Sequence, residues 1–89
     1  MHLYIGETSA VKAAIRDAAA KAEAEGKKTG IIDFDGDTGS AARLFFKELR
    51  GYDSQGVDLI LAAGVKEEGI GVAVMHRMRN AAGENIFNV

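Results

Sequence analysis

Apolar positions along this chain follow two rhythms. Leu3 to Ile5 is a short apolar run closed by Gly6, which predicts a first strand. Glu7, Thr8 and Ser9 follow with the chemistry of helix caps, side-chain oxygens that accept the unpaired amide hydrogens of a first turn. From there Val11, Ile15, Ala18 and Ala22 recur at helical spacing, with Lys12, Arg16, Lys21 and Glu23 off that line, up to Gly26. Thr29 to Phe34 holds an Ile-Ile pair between polar flanks, the pattern of a buried strand. Residues 35–40 have turn composition, and Thr38 or Ser40 is the expected cap of a second helix. Its expected inner face is Ala42, Phe45, Phe46 and Leu49, broadened by Leu44 and Tyr52, with a stop at residues 53–56. Val57 to Ala62 predicts a third strand, and Gly69 to Ala82 a third helix with Ile70, Val74, Met78 and Ala81 along one stripe. Residues 85–89 have the composition of a short edge strand through Ile86, Phe87 and Val89, set against the fraying usual at a terminus.

Strands and helices thus alternate β-α-β-α-β-α, which implies an α/β, Rossmann-like domain with a parallel sheet and helices on both faces. The expected strand order is 2-1-3, with a short fourth strand at 85–89 the remaining option. Eighty-nine residues leave room for one domain, 1–89, burying roughly 60–65% of the surface that the unfolded chain exposes.

Composition narrows the chemistry. No cysteine means no disulfide and no zinc-thiolate site, which together with the absence of a signal-like start leads to a cytoplasmic expectation. No apolar run approaches the roughly 20 residues of a membrane span. A net charge of −2 is too small to imply a nucleic-acid partner from the total alone, which leaves local basic patches to be weighed, and direct nucleic-acid binding is not expected.

Four patterns invite a catalytic or metal reading. Ile31-Ile32-Asp33-Phe34-Asp35-Gly36-Asp37-Thr38 resembles the first motif of haloacid-dehalogenase-type phosphatases, which also need a later lysine and an acidic pair for magnesium. The plainer reading is a turn whose aspartates accept local backbone hydrogens. Asp33, Asp35 and Asp37 have the alternate spacing of a calcium loop, but Leu44 stands where the closing glutamate belongs. Ser9-Ala10-Val11-Lys12 fits the Ser-x-x-Lys of serine acyltransferases without its partner motifs. His2 and His76 are single and far apart, so neither starts a metal cluster. No catalytic, cofactor-binding or metal residue is therefore assigned and no cofactor is expected. The basic residues Lys27, Lys28, Arg50, Arg77 and Arg79 fall near helix C-termini, where the dipole favours cations, and form the candidate docking rim for an acidic partner.

From the third strand on, the text becomes familiar. Val57-Asp58-Leu59-Ile60-Leu61, then Glu67-Glu68-Gly69-Ile70-Gly71-Val72-Ala73-Val74-Met75-His76-Arg77-Met78-Arg79-Asn80-Ala81-Ala82, resembles the close of the C-terminal domain of two-domain threonylcarbamoyl-AMP synthases. Ala42-Arg43-Leu44-Phe45 and Leu49-Arg50-Gly51-Tyr52-Asp53 resemble the preceding helix of that family, while the first forty residues share only its strand-helix-strand plan. His76 and Asn80 depart from the pattern. The resemblance implies an accessory or regulatory domain of the tRNA threonylcarbamoyladenosine pathway, with a YrdC-like catalytic domain as partner in cis or trans. In that family the YrdC-like half binds ATP, threonine and bicarbonate; it is not within these residues, so the chain is expected not to be an enzyme by itself. The alternatives are a free-standing small-molecule-binding domain of Rossmann-like type and, behind it, a small magnesium-dependent phosphatase.

Overall fold

The computed structural model describes all of residues 1–89. Its elements run β1 (His2–Ile5), α1 (Thr8–Ala24), β2 (Thr29–Ile32), α2 (Thr38–Ser54), β3 (Leu59–Ala63), α3 (Ile70–Ala82) and β4 (Ile86–Asn88). All pairings are parallel, as expected, and residues 86–88 do form the fourth strand. The order is β2-β3-β1-β4 rather than 2-1-3. The physical reason lies in β3: Ile60, Leu61, Ala62 and Ala63 are all buried, so this strand needs cover on both faces and a neighbour on each edge. β1 then takes β4 on its free side, through Leu3↔Ile86, Tyr4↔Phe87 and Ile5↔Asn88.

Helix placement follows from that order. With right-handed crossovers, β1 to β2 runs one way along the sheet, while β2 to β3 and β3 to β4 run the other way. α1 therefore packs on one face, with Val11, Ile15 and Ala19 against Tyr4, Leu61 and Ala63. α2 and α3 share the other, where Ala41, Phe45, Val74, Met75, Met78 and Ala82 meet Leu3, Ile32, Ile60 and Ala62. Alternate residues of β1 and β3 thus feed opposite cores.

Two helix faces are rotated from expectation. In α2 the buried residues are Ala41 and Phe45, with Leu49 and Tyr52 beside them, while Ala42 and Phe46 face out. The cap is Asp37, whose carboxylate accepts from the Ser40 amide at 3.0 Å, rather than Thr38 or Ser40. In α3 Ile70 is 55% exposed, and Gly71 takes the inward position at that end. A Cβ on Gly71 would lie 1.9 Å from the Lys66 carbonyl oxygen, so only glycine lets the helix start against the loop that leads into it.

The edge strand β2 carries its own cover. The Tyr52 ring lies over Gly30, where a Cβ would come within 2.6 Å of it, and its hydroxyl donates to the Ile31 carbonyl at 2.9 Å. An aromatic over a strand glycine restores the packing that the missing side chain forfeits.

Candidate functional site

In open α/β sheets ligands gather at the carboxyl ends of the strands, where neighbouring connections leave on opposite faces. Here that point lies between β1 and β3, because β1 leads to α1 on one face and β3 to α3 on the other. The divergence opens a cleft of ≈ 450 Å³. Its floor is Ile5, Val11, Ala63 and Val65, and its rim is Glu7, Lys12, Asp33, Asp35 and Lys66.

Lys12 organises this rim. It sits about one turn into α1, and its ammonium lies 2.9 Å from an Asp33 oxygen and 2.5 Å from an Asp35 oxygen. Asp33 also accepts the Asp35 amide at 2.9 Å, and Asp35 has a positive φ of 51°, which turns the loop back over the ammonium. Burial pushes the Asp33 carboxyl up, but the Lys12 and Asp35 donors outweigh it and hold the group below its ordinary value. The same two aspartates raise Lys12 well above its usual range. Glu7 accepts from the Ser9 hydroxyl at 2.7 Å and the Ala10 amide at 3.1 Å, so it caps α1 and its own pKa falls. Lys66 meets only Glu68, at 3.5 Å, with both side chains exposed.

These contacts sort the sequence candidates. The lysine that the phosphatase motif needs is present in space, supplied by Lys12 upstream of the aspartates. Yet β2, which ends just before Asp33, is the edge strand, and no three carboxylate or imidazole groups converge to hold a metal. The calcium spacing is likewise divided, with Asp33 and Asp35 on Lys12 and Asp37 capping α2. Ser9 donates to Glu7 while Lys12 points to the aspartates, so the Ser-x-x-Lys pair is not assembled. His2 packs against Phe87 at 5.4 Å between ring centroids, and His76 stands near the Asn80 amide at 3.3 Å.

The basic residues are less alike than their positions suggest. Arg79 is held by Glu67, through Nη1 at 3.2 Å and a closer Nη2 contact, which removes it from a free cationic rim. Lys28 donates its ammonium to the Gln55 carbonyl at 3.1 Å and its amide to Asp58 at 2.8 Å. Lys27 lies 3.7 Å from Glu25, and Arg50 and Arg77 are exposed. The sequence places Lys12 only on the polar side of the first helix and in the Ser-x-x-Lys pattern, and its place at the cleft was not foreseen. The usable signal was position, since a residue one turn into the first helix stays near the carboxyl edge where that helix begins.

Residues 1–83 match the family described as threonylcarbamoyl-AMP synthase, C-terminal domain. The chain belongs to that family. The match includes the first forty residues, where the resemblance in the sequence rested on the plan of elements alone. Among curated relatives, the threonylcarbamoyl-AMP synthase of Pyrococcus abyssi is 45% identical over 95 residues, covering 94% of this chain and 28% of the relative. The chain therefore spans well under a third of that protein. A crystal structure of P. abyssi Sua5 complexed with L-threonine superposes with a TM-score of 0.88 at 42% identity, covering 99% of this chain and 30% of that one. The C-terminal Sua5 domain from Pyrococcus horikoshii gives 0.76 at 32% identity, covering 98% of this chain and 93% of that domain. In this last case the domain stands alone as a folded body.

Proposed function

We propose that the chain is the non-catalytic accessory domain of a threonylcarbamoyl-AMP synthase, acting beside a YrdC-like catalytic domain in the same polypeptide or a separate one. The carrying observation is a family match over residues 1–83 that takes up only 28% of the P. abyssi relative. Support comes from the site itself: every charged group at the cleft is engaged in capping or ion pairing, and none has the nucleophile-base geometry of a catalytic centre. The exposed cations of the opposite rim, Lys27, Arg50 and Arg77, are the docking groups for an acidic partner surface. The setting is cytoplasmic, and direct contact with nucleic acid has no part in this reading.

The test is an assay of the 89-residue chain with ATP, threonine and bicarbonate, alone and with a separately produced catalytic domain. The expected result is no threonylcarbamoyl-adenylate from the chain alone, and a changed rate when it joins the catalytic domain. Product above a no-protein blank from the isolated chain would overturn the non-catalytic assignment. An unchanged rate in the mixture would overturn the accessory one.

A further inference from the structure

We propose that the cleft between the carboxyl ends of β1 and β3 binds a small zwitterion, an α-amino acid with a compact aliphatic side chain. Position makes it a ligand site, since the crevice opens where the connections after β1 and β3 leave on opposite faces of the sheet. Its volume of ≈ 450 Å³ falls within the range of about 300–1,000 Å³ typical of small-molecule sites.

The lining selects the chemistry. Ile5, Val11, Ala63 and Val65 make an aliphatic floor, and no aromatic side chain lines the cleft, so a nucleobase would have nothing to stack on. Both signs of charge stand on the rim. Glu7 and Asp33 offer carboxylate lone pairs beyond those already used, and they suit an ammonium group. Lys66 has only an exposed pairing with Glu68, of a kind that contributes little, so its ammonium is free to turn toward a ligand carboxylate. Lys12 neutralises Asp33 and Asp35 enough for an anion to approach, but three carboxylates against two ammonium groups repel a polyphosphate. A ligand with one charge of each sign and an aliphatic body fits all of these features.

The inference stands apart from the accessory role, because binding by the isolated chain requires no catalytic domain. The ¹⁵N-labelled chain is titrated with L-alanine and L-valine while amide shifts are followed. Isobutylamine, which lacks the carboxylate of valine, isovalerate, which lacks its ammonium, and inorganic phosphate are run in parallel. The expected result is saturable shifts at Gly6, Gly64 and Lys66 with the amino acids, and at least tenfold weaker binding of each half-ligand. Lys66→Gln, at an exposed position whose loss leaves the fold intact, should weaken L-valine binding at least fivefold with the rest of the spectrum unchanged. Absence of saturable shifts up to about 10 mM amino acid, equal binding of a half-ligand, or tighter binding of phosphate would each overturn the proposal.

Discussion

At Gly71 a single hydrogen in place of a methyl decides whether α3 can close on its own loop. The atom in the way is the Lys66 backbone carbonyl, which has no rotamer to change. Gly71→Ala should therefore cost about 1–3 kcal/mol, the usual range for overpacking, and lower the urea midpoint. An unchanged midpoint would show that the loop yields freely. Titration is also decided at single residues. Ser9 holds the Glu7 carboxyl down, Ser40 does the same for Asp37, and Arg79 for Glu67, while Lys12 overcomes the burial of Asp33. In each case the unfolded chain takes up its proton first as pH falls. The stabilisation is thus complete above the ordinary carboxylate values and is lost as pH falls through the depressed ones. His2 adds an earlier step: burial, then the N-terminal amine and Lys27, hold it below 6.5, so stability begins to fall once pH drops past that value. Melting temperatures should be level near pH 7–8 and decline in acid, with Asp33→Asn giving a shallower decline below about pH 4. A parallel acid limb in that variant would contradict the Lys12 pairing.

Among the elements, the two isoleucines Ile60 and Ile70 test how burial is distributed. Ile60, in β3, is 7% exposed, and Ile70, at the start of α3, is 55% exposed. Ile60→Ala should cost about 2–5 kcal/mol and Ile70→Ala within about 0.5 kcal/mol of nothing, both read from chemical denaturation. Equal effects would mean that the helix sits with a different face inward. Helices and strands were legible in the chain because their apolar periods are long and their stops are glycines. The faces of α2 and α3 were less legible, since Phe46 and Ile70 are large and apolar yet lie on the solvent side. Strand order was not legible from alternation alone, which fixes parallel pairing but leaves the positions of β1 and β3 open. The informative residues were in β3, where an unbroken Leu-Ile-Leu-Ala-Ala run marks the strand that is covered on both faces. In the cleft, the acidic rim was legible as a turn, but Lys12 stands 21 and 23 residues before Asp33 and Asp35, and only the crossover of α1 brings them together.

For the whole molecule, the parallel pairing of β1 with β4 has a mechanical consequence. The chain enters at the amino end of β1 and leaves from the carboxyl end of its neighbour β4, so tension between the two ends drags the strands in opposite senses along their shared ladder. Such a load puts the ladder between Leu3, Tyr4 and Ile5 and their partners in β4 under shear, where bonds share the force, instead of opening them one after another. The Val89 amide, which donates to the Ile5 carbonyl at 2.8 Å, extends the ladder past the last strand residue. Stretching the domain by its termini should accordingly need a larger rupture force than pulling between Gly26 and Gly56, the turns before the edge strand β2 and its neighbour β3, and single-molecule force spectroscopy would compare the two. In a longer chain tugged from its ends, the last three-residue strand would act as a shear clasp that keeps β1 in place.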